Sequence, residues 1–162
     1  MNKLQRKRFE KLIKHLEVGE LGVDKFDYSA LYLETNCGTC GCALGECPTV
    51  FPEQWELGPL NGTRRDPTLQ QNGTITEHDA AKFFGLISQE VEAVFFGNSL
   101  YTSIHGYLQS NFYSIEDCPN PPQATWLDYI GIYDVSKRRV INRMKKFLKI
   151  YDNPKYQKAR KS

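Results

Sequence analysis

The sequence predicts a mainly α-helical α+β fold in one compact domain, and three observations carry that expectation. Two amphipathic stretches near the ends repeat their apolar residues at helical spacing, and two shorter helical segments between them are each stopped by a glycine. The polar run 58–74 carries the turn dipeptides Asn61-Gly62 and Asn72-Gly73, which predict a small β-hairpin. At 162 residues the chain is long enough to bury a core without disulfides.

The first helix spans residues 3–17. Phe9, Leu12, Ile13 and Leu16 recur at i, i+3, i+4 and i+7, Lys7, Arg8, Lys11 and Lys14 take the remaining surface, and Gly19 and Gly22 end it. Residues 24–34 lead onward as an extended or helical piece whose aromatics belong to the core. Cys40 to Leu44 is expected as a short helix closed by Gly45 and Pro48, and a further helical turn is expected from Pro52 with Phe51 and Trp55 as anchors.

After the polar run, Thr76 with Asp79 has the form of a capping pair for a helix through Ala80, Ala81, Phe83 and Phe84 that Gly85 stops. Ser88 is expected to cap a second helix through Glu90, Val91, Val94, Phe95 and Phe96 up to Gly97. Ala81, Gly85, Val91 and Val94 stand at the spacings of a helix-turn-helix corner. The second helix carries Glu90 and Glu92 and no lysine or arginine, so the corner is expected to be packing geometry rather than a DNA reader.

Residues 98–117 are aromatic and polar with weak periodicity, 118–122 form a proline-rich loop, and Trp126, Leu127, Tyr129 and Ile130 return as packing residues. The last helix is the clearest in the chain. Ser136 caps it, and Val140, Ile141, Met144, Phe147, Leu148 and Tyr151 make its apolar stripe. The domain is therefore expected to cover 1–151, followed by a flexible basic tail over 152–162, where apolar residues are too sparse to hold a fold.

Net charge is +2, but it is unevenly divided. Residues 1–16 balance to +5, residues 17–136 to −13 and residues 137–162 to +10. Basic ends bracket an acidic middle. Such a division fits terminal helices lying on an acidic body, and it equally fits a nucleic acid or an acidic protein as partner. In the last helix Arg138, Arg139, Arg143, Lys145, Lys146 and Lys149 are the candidate partner-binding or phosphate-binding residues. The basic N-terminus is not followed by an apolar segment of signal type, and no run approaches the length of a membrane span, so a cytoplasmic protein without a membrane partner is expected.

Four of the five cysteines fall in Cys37-Gly-Thr-Cys40-Gly-Cys42-Ala-Leu-Gly-Glu-Cys47. Cys37, Cys40, Cys42 and Cys47 are a candidate zinc set, the Cys-x-x-Cys part being suited to a metal knuckle. One short loop does not easily aim four side chains at one centre, and no second Cys-x-x-Cys occurs. Burial as a knot of small residues competes with that reading. A redox or nucleophilic module at Cys37, Cys40 and Cys42 is a third reading, helped by a helix N-terminus but lacking an evident general base.

Cys37-Gly38-Thr39-x-x-Cys42-Ala43-Leu44-Gly45, Pro48, Phe51-Pro52 with Trp55, Ala80 to Leu86, and the basic helix around Val140 to Phe147 resemble a set of small bacteriophage and prophage proteins. Cys-Gly-Thr-x-x-Cys is the most specific part. In that pattern the sulfurs of Cys37 and Cys42 recur while Cys40 and Cys47 do not, and residues 98–133 depart from it. The resemblance implies a phage setting and brings no activity with it. The expectation is a non-enzymatic phage protein, without a cofactor unless zinc, that binds a host protein or complex in the host cytoplasm, for example as an inhibitor of host defence. Nucleic-acid binding through the basic terminal helices is the alternative, and a cysteine-centred zinc or redox module the third.

Overall fold

Phe9 ties the molecule together. From the first helix, α1 (Lys3–Val18), its ring meets Phe84 at 5.6 Å, Phe95 at 6.0 Å and Phe147 at 5.8 Å, so one fully buried side chain touches three other segments. A buried phenylalanine contributes about 1.5–3 kcal/mol by leaving water, with edge-to-face ring packing added. The computed structural model describes residues 1–27, 31–71, 73, 75–96 and 137–161. The expectations for 98–136 and for Asn72 lie outside the described residues.

α1 buries the predicted stripe of Phe9, Leu12, Ile13 and Leu16. Its start is closed reciprocally: Asn2 Oδ1 accepts from the Gln5 amide at 2.9 Å, and Gln5 Oε1 accepts from the Asn2 amide at 2.7 Å. Beyond it, β1 (Lys25–Phe26), β2 (Tyr32–Thr35) and β3 (Gly38–Gly41) form a sheet in the order β1-β3-β2, with β3 parallel to β1 and antiparallel to β2.

This sheet corrects the expected helix over Cys40–Leu44. Cys40 and Gly41 pair with strands on both sides, and Gly38 and Gly41 oppose a helix; the next helical turn comes only with α2 (Cys47–Val50). Gly45 lies in the intervening turn because nothing larger fits, a Cβ there lying 2.0 Å from the Leu31 carbonyl oxygen. The outer edge of β2 is covered by the 58–66 loop: the Glu34 amide donates to the Thr63 carbonyl at 2.7 Å and the Arg65 amide to the Tyr32 carbonyl at 3.1 Å.

The predicted hairpin is β4 (Trp55–Leu57) against β5 (Pro67–Leu69), in the register Trp55↔Leu69 and Leu57↔Pro67. Asn61-Gly62 turns at its tip, with Gly62 at φ +62°. The helical turn expected from Pro52 is a single turn closed by the Trp55 amide on the Phe51 carbonyl at 2.8 Å, and it leads directly into β4; Phe51 and Trp55 are buried as anchors and both meet Phe83 edge-on, at 5.0 and 5.6 Å.

α3 (Thr76–Phe84) starts at Thr76, but Asp79 does not cap it. Its buried carboxylate accepts from the Leu69 amide at 3.0 Å and ties β5 to α3. Gly85 ends α3 in the left-handed region at φ +70°, and the Leu86 amide reaches back to the Ala81 carbonyl at 2.8 Å. α4 (Ser88–Val91) follows and widens into a π-helical turn over Glu92–Phe96. Ser88 is the first residue of α4 rather than its cap.

α5 (Lys137–Tyr151) packs beside α1, and Val140, Met144, Phe147 and Tyr151 are buried as predicted. Two ion pairs span the seam, Arg6–Asp152 at 2.6 Å and Glu17–Lys145, and their order makes α1 and α5 antiparallel. The flexible tail expected over 152–162 is corrected. Residues Pro154–Lys161 form a further helix, α6, whose Tyr156 is 0% exposed, because one aromatic and one arginine find partners in the α4 corner. Among the described residues no helix is long and apolar enough to cross a membrane.

Candidate functional site

Many of the cations that made the ends of the chain look like a binding surface are engaged within the molecule. Arg8 donates to the Phe83 carbonyl at 3.2 Å and lies 4.1 Å from the Phe83 ring centroid, while Lys11 donates to the Val50 carbonyl at 2.8 Å above Phe51. Arg143 Nε donates to the Val94 carbonyl at 2.8 Å and closes the π-helical turn onto α5. Carbonyls at helix ends lack intrahelical partners, so these side chains act as C-terminal caps. Basic end meets acidic middle directly at Lys145–Glu17 and Arg160–Glu90.

Of the six candidate residues on α5, Arg138 and Lys149 are exposed, Lys145 is exposed but paired with Glu17, Arg143 is half-buried on Val94, and Lys146 is half-buried. The Arg139 side chain lies outside the described residues. The five whose side chains are described do not form one surface. Arg138, Lys145 and Lys149 do, standing at i, i+7 and i+11 on one stripe.

α1 adds a second stripe. Lys3 and Lys14 each precede a seam-bridging residue, Arg6 or Glu17, by three positions, and Lys7 lies between them on the same stripe. All three lysines are exposed. Two cationic rows, each about 16 Å long at 1.5 Å per residue, therefore flank the seam of an antiparallel helix pair. Glu10, Glu17 and Asp152 are interspersed between them, two of these already ion-paired. The rows were legible as periodic lysines in α1, but only the ion pairs place them beside α5.

The cysteines are sorted by burial. Cys37 is exposed in the turn between β2 and β3, Cys40 is half-buried in β3, and Cys42 and Cys47 are fully buried. Burial pushes the Cys42 thiol up to about 11 and the Cys47 thiol well above its ordinary value, the latter also raised by Cys42 and Glu46 nearby. Among the described residues no three histidine, cysteine or acidic side chains gather closely enough to hold a metal ion. The four-cysteine zinc set is thereby corrected: Cys37 lies in the turn before the extended β3, Cys40 within it and Cys42 just past its end, while Cys47 opens α2 inside the core.

Of the three sulfurs of the redox reading, Cys37 is exposed, and the other two are not placed as that reading expects. Cys40 sits in a strand rather than at a helix N-terminus, and Cys42 is held as a neutral thiol. His15 is committed to a different partner, its Nε2 lying 2.7 Å from Oε2 of the buried Glu46. That oxygen also accepts from the Gly22 amide at 2.8 Å, so the pair joins α1, the following loop and α2.

The role of Glu90 escaped the sequence reading. Read as a carboxylate of the second corner helix that disfavours DNA, it is 0% exposed and binds α6; its sequence signal is the Tyr156–Arg160 pair at i, i+4. The chain matches no protein-family model, no curated protein and no solved structure in the comparisons made.

Proposed function

We propose that the chain is a non-enzymatic interaction protein that docks an acidic partner on the outer face of α1 and α5. One observation carries the reading: Lys3, Lys7, Lys14, Arg138 and Lys149 are exposed in two rows along the seam, while Arg8, Lys11 and Arg143 are used internally. A field of one sign arranged in rows steers association and sets orientation.

The carboxylates Glu10, Glu17 and Asp152 between the rows favour a protein with an acidic but mixed surface over a continuous phosphate backbone. With the resemblance to phage proteins, the partner class is a host cytoplasmic protein or complex, including a defence complex that such binding would inhibit. The test is affinity capture from nuclease-treated host lysate with the wild-type chain and with Lys7→Glu/Lys14→Glu/Lys149→Glu. Loss of one specific protein from the charge-reversed chain, at unchanged melting temperature, is the expected result. Capture unaffected by the reversal overturns the reading, and capture abolished by nuclease replaces the protein partner with nucleic acid.

A further inference from the structure

α6 is held by very little of its own surface. It is eight residues long, Asp152 and Asn153 separate it from α5, and Tyr156 is buried at 0% exposure while Lys155 and Lys158 are exposed. A helix of that length is unstable alone in water. Its docking centres on Tyr156 and Arg160, which lie four residues apart on one helix face, and the Gln157 side-chain amide donates to the Tyr151 carbonyl.

Both side chains converge on Glu90. The Tyr156 hydroxyl donates to Glu90 Oε1, Arg160 Nε donates to the same oxygen at 2.7 Å, and Arg160 also donates to the Gly85 carbonyl at 3.1 Å. The Tyr156 ring packs on Phe147 and Tyr151, at 6.2 and 6.1 Å, and the guanidinium lies 5.3 Å from the Tyr151 ring centroid. The seat is thus an aromatic cleft between α4 and α5 with a fully buried carboxylate at its floor. From its own neighbourhood that carboxylate receives the Ile87 amide at 2.8 Å; its cationic donor comes from α6.

A buried ion pair is a weak device for stability and a good one for selecting a partner, because a carboxylate left in an apolar cleft demands one particular donor set. We propose that the Glu90 cleft is a peptide-binding site held closed in cis by α6, and that in trans it takes a short helix of a partner protein carrying a tyrosine and, four residues later, an arginine. α6 acts as the competing ligand, so the apparent affinity for a partner is reduced by the fraction of chains in which the strap is down. This site is separate from the cationic rows and does not depend on them.

The probe is a labelled peptide of residues Asn153–Lys161, titrated by fluorescence anisotropy against the full-length chain. The full-length Tyr156→Ala/Arg160→Ala chain, whose strap cannot compete, is expected to bind it at least about tenfold more tightly than wild type, and adding Glu90→Gln is expected to remove that gain. Hydrogen exchange on the wild-type chain gives a second readout that needs no variant to fold: α6 amides are expected to exchange well ahead of those in Met144–Tyr151. Equal binding to both chains, insensitivity to Glu90→Gln, or exchange of α5 and α6 as one unit overturns the proposal. Dimerisation of wild type with α6 exchanged between copies also overturns it, in favour of a domain swap.

Discussion

Replacing His15 with alanine tests whether the buried Glu46 is an architectural centre. Glu46 is 0% exposed, and its Oε2 accepts from His15 at 2.7 Å and from the Gly22 amide at 2.8 Å. Without the imidazole, one backbone amide remains for a carboxylate that stays out of water. Breaking a buried pair costs about 3–5 kcal/mol, and a hydrogen bond to a charged group about 1.5–3. His15 keeps some solvent access at 16% side-chain exposure, so the lower range applies, and a loss of about 2–3 kcal/mol is expected. At about 2–4 °C per kcal/mol for a chain of this size, the melting temperature should fall by roughly 4–12 °C. Urea denaturation gives the free energies for His15→Ala, Glu46→Gln and the double variant. The double is expected to be less destabilised than the sum of the singles, because Glu46→Gln removes the charge that His15 serves. A His15→Ala chain within about 0.5 kcal/mol of wild type, or strictly additive singles, would refute the reasoning.

The buried thiols predict loss of stability in alkali. Cys42 rises from its ordinary 9.0 to about 11 in the folded chain, so between those values the unfolded chain has lost a proton that the folded chain retains. Stability is therefore fully present below pH 9 and falls as pH rises towards 11, by about 3 kcal/mol for this thiol alone, measurable by urea titration at a series of pH values. An alkaline profile that stays flat in wild type, or an unchanged slope in Cys42→Ala, would contradict it. Maleimide labelling of the native chain at neutral pH should modify Cys37 while Cys42 and Cys47 become reactive only after unfolding, which peptide mass mapping reads directly. Gly45→Ala places a methyl 2.0 Å from the Leu31 carbonyl oxygen and is expected to cost about 1–3 kcal/mol, whereas Gly62→Asn at the hairpin tip should cost less than 1. Equal cost at both positions would remove the close-approach argument.

Long periodic elements were legible in the residues and short paired ones were not. α1 and α5 each repeat an apolar stripe over several turns, and both are helices with those stripes buried. The strands around the cysteines run two to four residues and include glycines, which gives no alternation to read; their existence depends on partners up to 15 positions away, as in the pairing of Lys25 with Cys40. α6 was read as tail because apart from Tyr156 it has little to bury, and its stability comes from Glu90, far off in sequence. The basic residues of α5 were recognisable by type, but which of them stay open was decided by Glu17 and the Val94 carbonyl. Carbonyls carry no signature in a sequence, so capping by Arg8, Lys11 and Arg143 could not be foreseen.

The loop across β2 has a practical consequence for handling the protein. An uncovered strand margin offers backbone groups to any passing chain and seeds polymers. Here the Thr63 carbonyl and the Arg65 amide satisfy one flank of the cysteine sheet, and the opposite flank is only two residues long. Shortening the hairpin to make the molecule smaller would strip that shield and favour fibres, while an epitope inserted at Gly62 leaves it in place.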